Sequence, residues 1–377
     1  MKMKKNFLSF LVLLLVQLIV YSSFAQLDSI YEQGVYRTFI VHLPTGYNSN
    51  NQYPLVINLH GLNSSAAQQE AYSQFDIIAD TENFIVVYPN AVGGSWPING
   101  TSGTDAVNFI SHLIDTIQTD YSCNSCLFIT GMSNGGFFTY YLACNLLKPI
   151  TAIAVVSGNM QQVLENNCAI TNGLPVMHFH GTSDNIVNYN GTIGIPPVDT
   201  TILWWVNANN CSATPINTSI SDTNLGDSCN VEKYYYGGGV NGSEMTFYKI
   251  INGGHTWPGA APIQVFGNTN QDINASALIG SFFQSFCSIS VGTKDTKEED
   301  RVSISVFPNP AQQTLTVQMP QQFFEVTIYT VTGNNIFMQR NITNKIQIDC
   351  SNFKNGVYFL QIANDNNIFT KKIILSR

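Results

Sequence analysis

The fold of this chain is decided by one stretch, Leu127-Phe128-Ile129-Thr130-Gly131-Met132-Ser133-Asn134-Gly135-Gly136. A short apolar run, typical of a buried strand, leads into a G-x-S-x-G pattern and then into a helix-permissive segment, residues 134–147. A sharp strand-to-helix turn strains the serine backbone and admits only small neighbours, which is why glycines flank Ser133. This pattern predicts that the Ser133 hydroxyl projects from the end of the strand as a nucleophile. An ordinary glycine-rich turn has the same local sequence, so the surrounding pattern has to decide.

The segments around this stretch alternate between two kinds. One kind is short and almost continuously apolar, as in strands buried on both faces, and covers residues 55–59, 84–88, 127–130, 152–156 and 176–179. The other is long enough for several helical turns and covers residues 66–82, 105–120 and 134–147. Such alternation predicts an α/β fold with a mostly parallel sheet flanked by helices, here over residues 26–289.

The pattern changes near residue 290. Residues 293–301 form the densest charge run in the chain, so we predict an exposed linker over residues 290–302. Short alternating strands follow at residues 302–307, 314–318, 325–330, 345–348, 357–362 and 369–375, with a turn at Gly333-Asn334. This pattern predicts a small all-β sandwich over residues 303–377.

The N-terminus carries a targeting signal. Three lysines fall within the first five residues, residues 7–20 are almost wholly apolar, and small residues occupy positions 23 and 25. We interpret residues 1–25 as a cleaved secretory signal peptide, because the apolar run is short for an uncleaved membrane anchor. No later stretch reaches membrane-spanning length, so the mature protein is expected to be exported without a transmembrane segment.

The eight cysteines favour disulfides in an oxidising compartment. The preferred pairs are Cys144 with Cys168 and Cys211 with Cys229. The Cys123-x-x-Cys126 pair could be a redox motif, but such pairs stand at a helix N-terminus and a strand follows here. A structural role is therefore expected for it.

A nucleophilic serine needs a base and an acid that orients the base, and in α/β-hydrolases the chain order is serine, acid, histidine. Of the six histidines, His255 fits this order, in the Gly- and Pro-rich loop 253–259 after the apolar segment 245–250. Asp184 is the preferred acid because it closely follows the buried segment 176–179, and the carboxyl ends of parallel strands face the crevice. The acids that follow no core strand are Asp199, Asp222 and Asp227.

Two histidines near the acid allow another interpretation. His178, His180 and Asp184 could form a metal site. The simpler interpretation is that His180 makes hydrogen bonds near the sheet edge, so no metal is expected.

Further residues complete the expected site. The backbone amides of Asn134 and Leu62 are the candidate oxyanion donors, with His60 holding the Leu62 loop. The aromatic residues Trp96, Tyr189 and Trp257 could line an apolar substrate cleft or pack in the core.

Four motifs now stand in order: His60-Gly61, Gly131 to Gly136, His180-Gly181-Thr182-Ser183-Asp184 and Gly253-Gly254-His255-Thr256-Trp257-Pro258-Gly259. Together with Trp204 and Cys211, they resemble the secreted α/β-hydrolase family that groups polyhydroxybutyrate depolymerase-like esterases with feruloyl and acetyl xylan esterases. The resemblance covers about residues 30–287. It implies a serine carboxylic-ester hydrolase with the triad Ser133, Asp184 and His255 and no metal or organic cofactor. The short Leu62-Asn63 loop departs from relatives that carry a cysteine or an extra glycine there.

The C-terminal segment resembles a second family. Its strings Val306-Phe307-Pro308-Asn309-Pro310 and Asn355-Gly356-Val357-Tyr358-Phe359 are similar to the sorting domain of proteins exported by the type IX secretion system. The resemblance implies that residues 303–377 engage the type IX secretion machinery and that the protein is secreted or held at the cell surface. A carbohydrate-binding β-sandwich is the competing interpretation.

Charge restricts the substrate. The whole chain has a formal net charge of −8, and residues 26–289 hold seventeen acidic against four basic side chains, a net of −13. Nucleic acid is excluded as a partner because binding it needs clustered Lys and Arg. With Arg37 as its single arginine, this domain also lacks the means to clamp anionic groups, so a neutral ester-bearing polymer is expected.

Taken with the resemblance to esterases, these observations predict an enzyme that removes feruloyl or acetyl groups from plant polysaccharide. The alternatives are a depolymerase of polyhydroxybutyrate-type polyesters, a peptidase with the same triad, and a non-catalytic binding protein on a hydrolase fold.

Overall fold

The computed structural model describes residues 26–32, 34–287, 305–318, 325–330, 335–340, 344–363 and 368–376. The predicted signal peptide, the linker 290–302 and the Gly333-Asn334 turn lie outside these residues. The chain divides into two compact units, Met1–Gly292 and Thr293–Arg377. Each unit is described by itself below.

The first unit alternates strands and helices along most of its length. Its strands are β1 (Gln26–Glu32), β2 (Val35–His42), β3 (Tyr53–Leu59), β4 (Ile85–Pro89), β5 (Cys123–Met132), β6 (Ala152–Val156), β7 (Val176–Gly181), β8 (Ile216–Ile220), β9 (Asn230–Tyr236) and β10 (Met245–Ile251). Its helices are α1 (Ala66–Ser73), α2 (Phe75–Glu82), α3 (Gly100–Asp120), α4 (Asn134–Asn145), α5 (Gln162–Glu165), α6 (Val198–Ala208) and α7 (Ala275–Phe286). In the described part of this unit, no helix has the length and hydropathy needed to cross a bilayer.

All ten strands form one sheet in the order β1-β2-β4-β3-β5-β6-β7-β10-β9-β8. The six central strands, from β4 to β10, run parallel to one another. Strands β1 and β2 on one flank and β9 and β8 on the other pair in antiparallel fashion. The carboxyl ends of the parallel strands therefore lie along one edge of the sheet. In folds of this kind, the loops at that edge bind ligands.

The central strands separate two hydrophobic cores. On β3, Leu55, Ile57 and Leu59 face one core and Val56 faces the other, as the two-residue period of a strand requires. Helices α3, α4 and α6 cover the first face, whereas α1, α2 and α7 cover the second. Burial on both faces explains why these strands read as continuous apolar runs.

Several element bounds differ from those predicted. The predicted helix over residues 66–82 is two helices, broken at Gln74, whose left-handed φ of 50° ends α1. Helix α3 begins at Gly100, ahead of the segment predicted from residue 105. The flanking strands β1, β2, β8 and β9 were not predicted. Strand β8 is exposed along almost its whole length and shows no apolar alternation.

Two disulfides cross-link the first unit. The predicted Cys144–Cys168 bond is present, and a second bond joins Cys126 to Cys287. The predicted Cys211–Cys229 pair is wrong, and β9 explains why. Cys229 immediately precedes β9, whereas the segment of Cys211 meets Gly237 beyond the other end of the strand. Seven residues of strand place the two cysteines about 20 Å apart, far beyond disulfide reach.

In its described residues, the secondary-structure elements of the second unit are all β-strands. One sheet has the order β11-β12-β15 and the other β14-β13-β16-β17. The strands are β11 (Ser305–Phe307), β12 (Thr314–Gln318), β13 (Glu325–Thr330), β14 (Asn335–Gln339), β15 (Lys345–Asp349), β16 (Gly356–Ala363) and β17 (Ile368–Leu375). Leu315 and Ile348 of one sheet share a buried core with Val326 and Leu360 of the other. The predicted fold class, an α/β unit followed by a small β-sandwich, is therefore confirmed, with β14 as an additional strand.

Candidate active site

Ser133 stands on a strained turn between β5 and α4. Its backbone angles are φ 55° and ψ −121°, in a region that residues with a side chain rarely occupy. The turn is held because the Ser133 amide donates to the Val156 carbonyl at 3.0 Å and the Ser133 carbonyl accepts from Phe137 in α4. The serine therefore sits at the carboxyl edge of the sheet, where the sequence places it.

The glycines around Ser133 are required by close backbone packing. A Cβ on Gly131 would lie 2.6 Å from the Gly135 carbonyl group, and one on Gly135 would collide with the backbone of residues 59 and 60. A Cβ on Gly136 would lie 2.9 Å from Gly158 Cα. Strand β5, helix α4 and the loop after β3 thus approach one another more closely than any side chain permits.

The acid and the imidazole meet at the same edge of the sheet. Asp184 follows β7, His255 follows β10, and both side chains are almost fully buried. His255 Nδ1 donates to Asp184 Oδ2 at 2.7 Å. The other carboxylate oxygen, Oδ1, accepts the backbone N–H groups of Ile186 at 2.9 Å and Val187 at 2.8 Å. These three hydrogen bonds fix the carboxylate, which in turn fixes the imidazole.

Hydrogen bonds from the end of β6 reach both the loop of His255 and the turn of Ser133. The Ser157 hydroxyl, directly after β6, donates to the Thr256 carbonyl at 3.2 Å, and the preceding residue, Val156, accepts from the Ser133 amide. Gly181 packs against residues 253 and 254, where a Cβ would collide with the backbone. Because His255 Nδ1 carries a proton toward Asp184, its Nε2 presents a lone pair suited to a general base.

The loop after β3 lies against the serine. A Cβ on Gly61 would lie 3.4 Å from Ser133 Cβ and 3.9 Å from its hydroxyl oxygen. His60 holds this loop, since its Nδ1 donates to the Gly61 carbonyl at 2.7 Å and its Nε2 accepts from the Ala91 amide at 3.0 Å. Burial lowers the pKa of His60, in keeping with a neutral ring that donates at one nitrogen and accepts at the other.

The two candidate oxyanion donors differ in their surroundings. Asn134 begins α4, and its side chain clamps Trp96 by accepting from the Trp96 amide at 2.7 Å and donating to the Trp96 carbonyl at 3.0 Å. Its backbone amide is therefore held rigidly beside Ser133. Leu62 lies in a turn next to Asn63, which has a φ of 56°, and its side chain is 58% exposed.

The three aromatic residues predicted for the substrate cleft are buried. Trp96 is 1% exposed, stacks on Phe138 and donates to the His60 carbonyl. Trp257 is buried to the same degree, and its indole N–H donates to Ser276. Tyr189 donates to Asp199 at 2.5 Å. These contacts favour packing roles, and a role in substrate binding stays a prediction.

The two histidines of β7 are engaged in hydrogen bonds. His178 contacts Tyr140 through Nδ1 and His180 through Nε2, so both of its ring nitrogens have partners. Across the described residues, no cluster of three or more His, Cys, Asp or Glu side chains has the geometry of a metal site. Tyr140 was not singled out in the sequence, where nothing marks it among the many aromatic residues.

The fold and the site together define a class. A central sheet of this strand order, a strained serine between β5 and α4, and an acid and a histidine after later strands are the features of an α/β-hydrolase. Residues 101–194, which include Ser133 and Asp184, match the family described as Phospholipase/Carboxylesterase.

Curated relatives are similar to the first unit. The bifunctional acetylxylan esterase/xylanase XynS20E of Neocallimastix patriciarum is 33% identical over 161 residues, which cover 42% of this chain and 23% of that protein. Feruloyl esterase B of Piromyces equi is 32% identical over 165 residues, covering 41% of this chain and 30% of that protein. The chain thus spans less than a third of the length of these two relatives.

Two solved structures superpose on part of the chain. The acetyl xylan esterase from Aspergillus awamori superposes with a TM-score of 0.49 at 17% identity, covering 64% of this chain and 96% of that one. A ferulic acid esterase from Anaeromyces mucronatus superposes with a TM-score of 0.46 at 16% identity, covering 70% and 90%.

The second unit matches a different family. Residues 305–376 match the family described as Secretion system C-terminal sorting domain. The predicted sorting domain is therefore confirmed, and with it an extracellular or cell-surface location for the protein.

Proposed function

We propose that the first unit is a serine carboxylic-ester hydrolase with the triad Ser133, Asp184 and His255. The observation that carries this proposal is the buried Asp184–His255 hydrogen bond of 2.7 Å, at the edge of the sheet that also presents Ser133 on its strained turn. A buried pair in which the imidazole donates to the carboxylate suits the activation of a serine. The similarity to feruloyl and acetylxylan esterases supports the same chemistry.

The reaction proceeds by acyl transfer in two steps. His255 Nε2 takes the hydroxyl proton as Ser133 Oγ attacks the ester carbonyl, and Asp184 stabilises the imidazolium. The amides of Asn134 and Leu62 bind the oxyanion, each contributing about 3 kcal/mol to the lowering of the barrier. The imidazolium then protonates the leaving alcohol, and water activated by His255 hydrolyses the acyl-enzyme. This chemistry requires no metal and no organic cofactor.

The substrate we propose is a feruloyl or acetyl ester on a neutral plant polysaccharide. The net charge of −13 over residues 26–289 disfavours polyanionic polymers. The loops after β3, β4, β7 and β10 all expose aliphatic side chains, among them Leu62, Val92, Ile186 and Val265. Exposed aliphatic side chains on these loops suit an aromatic acyl group better than a charged one.

The central test is Ser133→Ala on p-nitrophenyl acetate. We expect turnover to fall to the background rate, because no other group supplies the nucleophile. Ser219→Ala, which changes an exposed serine of β8, is the matched control and should retain full activity. Hydrolysis by Ser133→Ala at the rate of the wild type would refute the assignment of the nucleophile.

Substrate choice is tested by comparing methyl ferulate, acetylated xylan and polyhydroxybutyrate granules. We expect release of ferulate or acetate at a higher kcat/KM than release of hydroxybutyrate. Faster hydrolysis of the granules would instead favour a polyester depolymerase. Binding to xylan with no hydrolysis of any ester would favour a non-catalytic binding protein.

We further propose that the partner of the second unit is the type IX secretion machinery, engaged through residues 303–377. The match of residues 305–376 to a sorting domain supports this proposal. The enzyme would then act outside the cell on polymers too large to enter it.

A further inference from the structure

A row of three buried polar side chains lies outside the triad and ends beside it. Tyr140 of α4 and His178 and His180 of β7 are each at most 1% exposed. Tyr140 Oη lies 2.7 Å from His178 Nδ1, and His178 Nε2 lies 3.2 Å from His180 Nδ1. His180 Nε2 lies 2.8 Å from the Val187 carbonyl oxygen and 3.5 Å from Asp184 Oδ2. Polar groups buried this deeply need partners, and each of these has one.

The Val187 carbonyl, which is the last acceptor in the row, determines which nitrogen of each histidine carries a proton. A carbonyl oxygen only accepts, so His180 Nε2 must carry the hydrogen that it shares with Val187. In a neutral ring, His180 Nδ1 is then an acceptor, and His178 Nε2 must donate to it. His178 Nδ1 consequently accepts from the Tyr140 hydroxyl. All three donors point in one direction, from α4 toward the loop of Asp184.

Burial keeps this arrangement uncharged. Desolvation lowers the pKa of His178 well below its ordinary value, with His180 as a second cause, and desolvation also lowers the pKa of His180. The pKa of Tyr140 is raised well above its ordinary value, mainly by burial, so the phenol keeps its proton. Neutral rings make the donor order given above the consistent one.

The row acts on the acid loop through Val187. The Val187 carbonyl accepts from His180, and the Val187 amide donates to Asp184 Oδ1 at 2.8 Å. His180 therefore holds one end of the turn whose amides grip the carboxylate. The aligned N–H groups also point toward the loop that carries Asp184, with His180 Nε2 3.5 Å from Asp184 Oδ2.

We propose that Tyr140, His178 and His180 form a positioning relay that orients Asp184 toward His255. This inference rests on the proposed function, because its kinetic effect requires Asp184 to be the triad acid. None of the three side chains contacts the reacting atoms, so each acts through Asp184.

The first test compares two substitutions of similar length at the end of the relay. His180→Gln keeps an N–H near the position of Nε2, whereas His180→Met removes it. We expect kcat on p-nitrophenyl acetate to fall about 10- to 100-fold in His180→Met, the range for losing one buried hydrogen bond, with KM little changed. His180→Gln should recover most of that loss. Equal kcat values in the two variants would overturn the proposal.

The second test uses the other end of the relay. Tyr140→Phe preserves the stacking on His178 and Trp205 and removes only the hydroxyl. It should lower kcat with KM little changed, and it leaves the buried His178 Nδ1 without its donor. The double variant Tyr140→Phe/His180→Met should be no slower than His180→Met alone, because groups of one network are not additive. Independent, multiplicative losses would show that no relay joins the two residues.

A third test does not need activity. The ¹⁵N NMR spectrum of the six imidazoles in the wild-type protein reports which ring nitrogens carry protons. We expect His178 and His180 to be neutral with the proton on Nε2. A proton on Nδ1 of either ring would refute the relay, even for a protein that folds but hydrolyses no ester. Lack of esterase activity with the expected tautomers would instead refute the proposed function and leave the hydrogen-bond order intact.

Discussion

The sharp turn between β5 and α4 requires both the strained backbone of Ser133 and the close packing of its glycine neighbours. The positive φ of Ser133 turns the chain by a sharp angle, and the turn closes because Gly131 and Gly135 let backbone touch backbone. The G-x-S-x-G pattern was predictable because this constraint leaves few residue types. The positions of Asp184 and His255 could also be predicted from the sequence, because each residue follows a buried apolar strand.

The contacts of other site residues could not be predicted from the sequence. Tyr140 meets His178 only because α4 packs across β7, a tertiary contact that has no local signal. The spacing of His178 and His180 suggests a shared face of a strand, but it equally suggests a metal site. Their hydrogen-bond partners, and hence their role, required the fold.

A titration prediction concerns Glu70, which lies within α1, four residues before the break at Gln74. Burial, and secondly the nearby carboxylate of Asp76, raises the pKa of Glu70 to about 7. The folded state thus binds this proton more tightly than the unfolded chain does. Its contribution to stability is complete below the ordinary pKa and is lost as the pH rises through about 7. Glu70→Gln should therefore be more stable than the wild type at pH 8 and equal to it at pH 4.

Urea unfolding of both proteins at the two pH values measures this effect. The measurement at pH 4 is the internal control, because Glu70 is then protonated in the folded protein. A Glu70→Gln variant that is less stable than the wild type at pH 8 would contradict the prediction.

Among the elements, the buried parallel strands were the most predictable and the edge strands the least. Strand β6 appears in the sequence as an unbroken apolar run, and β7 is interrupted only by its histidines, because helices cover both faces. Strand β8 has exposed residues on both faces and β14 is likewise mostly exposed, so neither shows a periodic pattern. The break at Gln74 was missed because a left-handed residue other than glycine carries no sequence signal.

The two disulfides should differ in what they contribute to stability. The Cys126–Cys287 bond closes a separation of 161 residues and ties α7 to β5, whereas Cys144–Cys168 closes 24. Loop-closure entropy predicts a contribution of about 5 kcal/mol for the first bond and about 3.5 kcal/mol for the second. We expect Cys126→Ser/Cys287→Ser to lower the free energy of unfolding more than Cys144→Ser/Cys168→Ser does.

Denaturant unfolding of the two double variants, under oxidising conditions, measures the difference. The wild type under reducing conditions is the control and should be less stable than either variant. A larger loss from the shorter loop would contradict the entropic explanation.

At the scale of the whole molecule, charge is divided unevenly between the parts. Residues 26–289 carry a net charge of −13, whereas residues 290–377 hold nine basic and seven acidic side chains. The net charge of −8 for the whole chain does not show this difference between the two parts. A substrate or partner is therefore recognised by one part of the chain and not by the average.

Division into two units predicts that the parts can be separated. A chain ending at Gly292 should hydrolyse p-nitrophenyl acetate with the kcat/KM of the full chain, because the triad lies within the first unit. Residues 290–377 fused behind a signal peptide and a reporter should carry the reporter through the outer membrane of a host with a type IX system. Activity of the truncated enzyme and reporter in the medium are the two measurements.

The matched control for export is the same reporter with the signal peptide alone, which should stay in the periplasm. Retention of the full fusion in the periplasm would contradict the sorting role. Binding of the fusion to insoluble xylan in that case would favour a carbohydrate-binding sandwich.

The Cys126–Cys287 bond has a consequence for survival outside the cell. It encloses the loops of Ser133, Asp184 and His255, whereas the loops after β3 and β4 precede Cys126 in the chain. A protease that cuts any one loop between these cysteines leaves both fragments covalently attached. The nicked chain would then remain covalently joined, so it tolerates a cut that would release a fragment from an uncrosslinked chain.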